Sequence, residues 1–238
     1  MKSIVSKAKT IINSFLKKDF IPEIDHYCQK ERFGSQYGGW DIAVGQIDKN
    51  SIIYSFGVGE DASFDIALIE RYGVTIHAFD PTPKSIKWAK SQMFSKKFIL
   101  HEYGIADFDG DVLFNPPEDP NHVSHTILSR PATQERAITV QVKKLVTIMK
   151  DLGHDKIDII KMDVEGAEYQ VIEDICKSDI RPRQILVEFH HRFDNVGIKE
   201  TKHAIMILKR IKYRVFSVST SVELIGFIYE NSDRLGDL

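Results

Sequence analysis

Acidic residues stand where apolar runs of this sequence stop. IIKMDVEGAEY (159–169) closes one run on Asp163 and continues with Glu165 and Glu168. LVEFHHRF (186–193) closes another on Glu188, followed by His190 and His191. Period-two alternation along the second run places Glu188 and His190 on one side and Phe189 and His191 on the other. A carboxylate beside a Glu-x-His pair at neighbouring strand tips can hold or move a proton, or bind a cation. Glu165 and Glu168 have a plainer use as well, because acids near a helix N-terminus favour its dipole.

A second constellation lies upstream. In YSFGVGEDASFDIAL (54–68), Gly57, Gly59 and Ala62 fit G-x-G-x-x-A, a turn that lets the backbone approach a ligand closely. Asp80 ends the next apolar run, where a carboxylate can accept hydrogen bonds from both ribose hydroxyls of an adenosine. Those features serve NAD and S-adenosylmethionine equally. Glu60 and Asp61 divide the two. A pyrophosphate beside them would meet like charge, at ~1–4 kcal/mol per pair at about 4 Å, whereas a sulfonium and an ammonium would be attracted. The turn is therefore read as a methyl-donor site. An NAD-dependent oxidoreductase and a catalytically silent binding module are the rival classes.

The elements that must carry these residues alternate. Past residue 50, short apolar runs at 51–57, 74–80, 97–105, 156–163 and 183–190 are separated by helical patterns, as in a parallel sheet with crossover helices. Thr82 is the expected N-cap of the second helix, with Pro83 at its first position. QVKKLVTIMKDLG (141–153) reads as a helix. YRVFSVS and VELIGFIY, with Thr220 and Ser221 between them, read as an antiparallel hairpin. The predicted fold is an α/β, Rossmann-like, doubly wound sheet of about seven strands, mostly parallel with a C-terminal antiparallel hairpin. In such sheets ligands bind beyond the carboxyl ends of the strands. Turn signals at Asp109-Gly110 and Pro116-Pro117 suggest a hairpin and a surface loop between 106 and 139. That loop offers Asn121, His122, Ser124, His125 and Arg130 to a polar acceptor.

Composition excludes several classes. A formal charge of -2 over 238 residues argues against nucleic acid as a partner. Cys28 and Cys176 have neither metal-ligand nor disulfide spacing, which suits a reducing compartment, and the cytoplasm is the expected location. Residues 1–35 are read as an N-terminal helical extension and 36–238 as the catalytic domain. Ile4, Val5, Ala8, Ile11, Ile12, Phe15 and Leu16 form one apolar helical face, and Lys2, Lys7, Lys9, Lys17 and Lys18 precede the first acid. Packing on the domain or on a second subunit of a homodimer is the favoured use, with contact to a membrane surface as the alternative.

YSFGVGEDASFD, HAFDPTPKS, YGIADFDGDVLF and, above all, IIKMDVEGAEYQVI…ILVEFH resemble the FkbM family of class I S-adenosylmethionine-dependent methyltransferases, over roughly Tyr37 to Phe193. The resemblance implies the class I methyltransferase fold and O-methylation of a hydroxyl on a sugar, a glycan precursor or a natural product, with S-adenosylhomocysteine as product. It implies a methionine-side contact at Phe56, Gly57, Gly59 and Asp61, a ribose clamp at Asp80, and Ala106 and Asp107 by the adenine, with Asp163 between cofactor and chemistry. Trp40, His122, Ser124, His125, Glu165 and His191 are the expected acceptor contacts. A sugar hydroxyl ionises near the pKa of water, about 15–16, so it needs a base or an acidifying metal. His190 or Asp163 is read as that base, with Glu188 orienting the histidine or the acceptor. A divalent cation on Asp163, Glu188 and His190 is the rival, less favoured reading.

Overall fold

The computed structural model describes residues 20–45, 47–119 and 124–230. The N-terminal amphipathic stretch, and His122 with Asn121 in the acceptor loop, lie outside the described residues. Among the described residues no helix is long and apolar enough to cross a membrane.

The central strands are apolar on both faces, as strands covered by helices on each side must be. β3 (Ile52–Phe56), β4 (Thr75–Phe79), β5 (Phe98–His101), β9 (Ile159–Met162) and β10 (Gln184–Glu188) pair in parallel. β12 (Leu224–Tyr229) runs antiparallel to β10, and β11 (Tyr213–Val218) antiparallel to β12. The seven strands stand in the order β11-β12-β10-β9-β3-β4-β5, with the C-terminal hairpin at one edge as expected.

Two apolar layers sandwich the sheet. α3 (Leu145–Leu152), α4 (Glu168–Lys177) and α5 (Ile198–Arg210) cover one face, packed on Tyr54, Phe56, Phe79, Ile160 and Met162. α1 (Ser63–Tyr72) and the hairpin of β1 (Lys30–Phe33) with β2 (Trp40–Ala43) cover the other, on Ile53, Ile76, Ile159 and Leu186. α2 (Pro83–Ser91) joins that second layer through Trp88 and follows Thr82, as its Pro83 start requires. The β1–β2 hairpin spans the boundary expected between 35 and 36. Phe20 and Ile24 upstream of it pack against the first layer.

The stretch between β5 and α3 departs from the sequence reading. The run 97–105 is not one strand: the chain bends after His101, and β6 (Gly104–Ile105) joins a separate three-stranded sheet, β6-β8-β7, with β7 at Gly110–Phe114 and β8 at Ile138–Lys143. Gln141–Lys143 are therefore strand, and the helix begins only at Leu145. The deciding pattern is the period-two burial of Val140 and Val142. Asp109-Gly110 does not close a hairpin, because β6 and β7 both pair with β8. Instead Asp109 accepts hydrogen bonds from the Lys144 N–H and the Thr147 hydroxyl, both at 2.8 Å, and so caps α3.

Candidate active site

The carboxyl ends of β3, β4, β9 and β10 open into a cleft of about 1150 Å³. Its floor is the glycine turn. Gly57 has φ +80, and a Cβ there would lie 1.9 Å from the Asp163 carbonyl oxygen, so only glycine lets the turn close against the tip of β9. Asp80, 4 % exposed, braces the turn from β4. Its Oδ2 accepts from the Val58 N–H (3.0 Å) and the Gly59 N–H (2.9 Å), and its Oδ1 from the Thr82 N–H (2.8 Å). Burial pushes the Asp80 carboxyl up against these stabilising bonds. Asp80 thus builds the turn as well as facing the cleft, a role that its position at a strand end did not reveal.

Lys161 completes the floor and was missed. Its ammonium, on a side chain buried in β9, donates to the carbonyls of Gly57 (2.5 Å) and Phe56 (3.4 Å) and lies 5.5 Å from the Trp40 ring centroid. A lysine in the wholly buried run IIKM was the available signal, since a buried charge must find partners. Beneath it, the fully buried Asp65 is pushed up to about 6 by burial, which outweighs the attraction of Lys161.

Glu60 and Asp61 are less free than their sequence suggested. Glu60 lies 3.6 Å from the Lys84 ammonium. Asp61 accepts from the Ser35 hydroxyl and the Ser63 N–H, both at 2.8 Å. Burial opposes its charge, but these bonds and Lys161 outweigh it and hold the carboxyl below its usual range. Asp61 thereby pins the Ser35–Gly38 loop, which carries the 92 % exposed ring of Tyr37 at the cleft mouth.

The acids gather on the far wall. Asp163, Glu165 and Glu188 line the cleft, and His190 stands behind them with one tenth of its side chain exposed. Its Nε2 lies 3.7 Å from Asp163 Oδ1 and 3.5 Å from Glu165 Oε2. Its Nδ1 lies 3.2 Å from Glu168 Oε1. Glu168 is fully buried and also accepts from the backbone N–H groups of His190 and Gly166, each at 2.8 Å. Glu168 therefore orients the histidine, correcting the assignment of that task to Glu188. Burial works against a charge on His190, but the Glu168 bond and the carboxylates of Glu168, Glu165 and Asp163 prevail and push it up to about 10. Glu188 is pushed up to about 8, by burial first and then by Asp163. Burial also raises Glu165.

Glu165 reaches the wall through a strained turn. Its own φ is +52, Gly166 follows at φ +103, and a Cβ on Gly166 would meet Leu128 at 2.4 Å. The Thr126 hydroxyl donates to the Glu165 carbonyl, and Arg130 donates to the Ser124 carbonyl at 2.8 Å, which ties the acceptor loop to this turn.

Of the expected contacts, Trp40, Phe56, Gly57, Gly59, Asp61, Asp80, Ser124, His125, Asp163, Glu165 and Glu188 line the cleft. Ala106 and Asp107 do not: Gly104 and Ile105 line the cleft there, and Ala106 is buried in the core. His191, 3 % exposed, does not line the cleft either. Among the described residues, the three groups whose ligand atoms lie within 4.8 Å of one another are Asp163, Glu165 and His190, so Glu188 of the alternative cation set stands outside that cluster.

The chain was also compared with known proteins. The family model described as the methyltransferase FkbM domain matches residues 47–215. Probable methyltransferase-like protein 24 of Rattus norvegicus is 25% identical over 197 residues, which is 79% of this chain and 46% of that protein. The Homo sapiens protein of the same name is 25% identical over 177 residues, 71% of this chain and 42% of that protein. The chain thus spans less than half the length of these curated relatives. A crystal structure of methyltransferase FkbM from Methylobacillus flagellatus KT superposes with a TM-score of 0.47 at 14% identity, over 78% of this chain and 45% of that one.

Proposed function

Because this chain belongs to the FkbM methyltransferase family, we propose that it binds S-adenosylmethionine on the Gly57 turn and methylates a hydroxyl of a sugar, glycan precursor or natural product. When bound, S-adenosylmethionine supplies a methyl group already activated on a cationic sulfur. The residues present suit it. The glycine turn admits close contact, Asp80 faces the cleft from the end of β4, and the other acids offer negative charge to a sulfonium and an ammonium. The family membership removes the support for the oxidoreductase reading.

The observation that carries the hydroxyl acceptor is the far wall. Asp163 and Glu188 present carboxylates to the cleft, the groups that accept a hydrogen bond from a hydroxyl and take its proton. His190 lies behind them and acts by positioning. Ser124, His125 and the exposed Tyr37 ring border the same space, a polar and aromatic rim suited to a glycan or a hydroxylated natural product. Trp40 and Phe56, both buried, give the floor an apolar edge.

The test is transfer of labelled methyl to a panel of hydroxylated glycans and natural products, with amine and thiol acceptors beside them. Label on a hydroxyl, lost about 100-fold or more in kcat for Asp163→Asn with donor binding retained, supports the reading. Label on amines or thiols alone overturns it.

A further inference from the structure

We propose that Asp163, Glu165 and His190 form a binding site for a divalent cation of the magnesium or manganese type. The inference rests on the hydroxyl-methylation reading for its role, and on geometry for its existence.

Each of the three residues offers one ligand atom, and these atoms lie within 4.8 Å of one another. Ligands about 2.1 Å from an octahedral ion stand about 3 Å apart when adjacent and about 4 Å apart when opposed. The separations from His190 Nε2, 3.5 Å to Glu165 Oε2 and 3.7 Å to Asp163 Oδ1, fall inside that range. The wall is thus close to coordination spacing.

The histidine supplies an independent sign. Its side chain is nine-tenths buried, and Nε2 faces the two carboxylates at ion-pair distance, so a cation entering between them would displace the Nε2 proton and take its place. The other ring nitrogen is held by Glu168, itself fixed by the N–H groups of Gly166 and His190. A carboxylate behind a ligating imidazole is the usual outer support of a metal site, where it fixes ring orientation and tautomer. Charge points the same way. Asp163, Glu165 and Glu168 surround one imidazole at 3.7, 3.5 and 3.2 Å, while the nearby Lys161 ammonium is taken up by the Phe56 and Gly57 carbonyls.

Two carboxylate oxygens and one imidazole nitrogen, with further positions open to the cleft, suit manganese or magnesium better than a closed zinc site. An acceptor hydroxyl on the open side would be acidified by the cation. Its O–H bond would then break, with the proton passing to Glu188, as the oxygen takes the methyl group and the donor's S–CH3 bond breaks to leave neutral S-adenosylhomocysteine.

The test uses the full chain, stripped with chelator and titrated with Mn²⁺, followed by the electron paramagnetic resonance signal of free Mn²⁺ and by calorimetry. One Mn²⁺ per chain at micromolar affinity is expected, displaced by Mg²⁺. Glu165→Gln and His190→Gln should each weaken it at least 10-fold, while Asp174→Asn, on the far side of α4, should leave it unchanged. If His190→Gln fails to give a cooperative melt, Glu165→Gln decides. Affinity no tighter than millimolar, or unchanged in Glu165→Gln, overturns the site. S-adenosylmethionine is titrated into the same stripped protein. Donor binding without Mn²⁺ binding removes the cation site and keeps methyl transfer; Mn²⁺ binding without donor binding does the reverse.

Discussion

Two histidine environments in this molecule differ in sign. His77 on β4, His101 on β5 and His154 just after α3 share a cluster of rings: His77 Nδ1 lies 3.1 Å from His101 Nε2, and His154 Nδ1 lies 2.7 Å from the Tyr54 hydroxyl. Burial lowers all three, His77 to about 4 with help from the other two imidazoles. Lys143 adds to the effect at His101, and Asp155 opposes it at His154. His190 is more buried than any of them and is raised to about 10 instead. Burial sets the cost of charge, but the partners decide whether the charge is kept. Aromatic rings and a phenol make a neutral structural cluster; carboxylates make a site that keeps the imidazole's charge.

The largest effect should come from removing the carboxylate that holds His190. Glu168→Ala leaves two backbone N–H groups and an imidazole without their acceptor and should cost ~3–5 kcal/mol, read as a fall in the urea midpoint. The same truncation applied to the neutral cluster should do much less. Tyr54→Phe removes one hydrogen bond to His154 and should cost about 1 kcal/mol in the same assay.

Acid should act on the neutral cluster in a defined window. The folded pKa of His77, about 4, lies below its ordinary 6.5, so the folded state binds fewer protons there than the unfolded chain. Its contribution is complete above pH 6.5 and is lost as pH falls from 6.5 through about 4. Because the ring is only about half buried, the share is discounted to ~1 kcal/mol. His77→Phe should flatten the stability curve across that window and leave neutral pH little changed. An equally steep acid loss in His77→Phe would place the labile group elsewhere.

The two regions also differ in how legible they were. Asp163, Glu188 and Asp80 could be found because short apolar runs end on them, and strand ends are where an open sheet puts its ligands. Glu168 could not, because an acid in the first turn of a helix already has a sufficient local explanation in the dipole. Its true partners, the main chain and ring of His190, come from another strand. The β1–β2 hairpin was hidden for a related reason. KERF is exposed at three of its four positions, so it shows no alternation, and Ala43 is anchored by the distant Gln184 side chain through two 2.8 Å bonds. The alternation of strands and helices and the C-terminal hairpin followed from local patterns, whereas contacts closed by side chains far apart in the sequence left no local trace.

The central claim is that the Asp80-braced glycine turn receives a methyl donor. The most direct measurement is calorimetric titration of the purified chain and of Asp80→Asn with S-adenosylmethionine, S-adenosylhomocysteine and NAD. Replacing a carboxylate oxygen that takes two N–H bonds by an amide should cost ~1–3 kcal/mol, or about 10–100-fold in affinity. Micromolar binding of the first two ligands, weakened by that factor in Asp80→Asn, is the expected result. Binding of NAD alone, or donor binding indifferent to Asp80, would contradict the account.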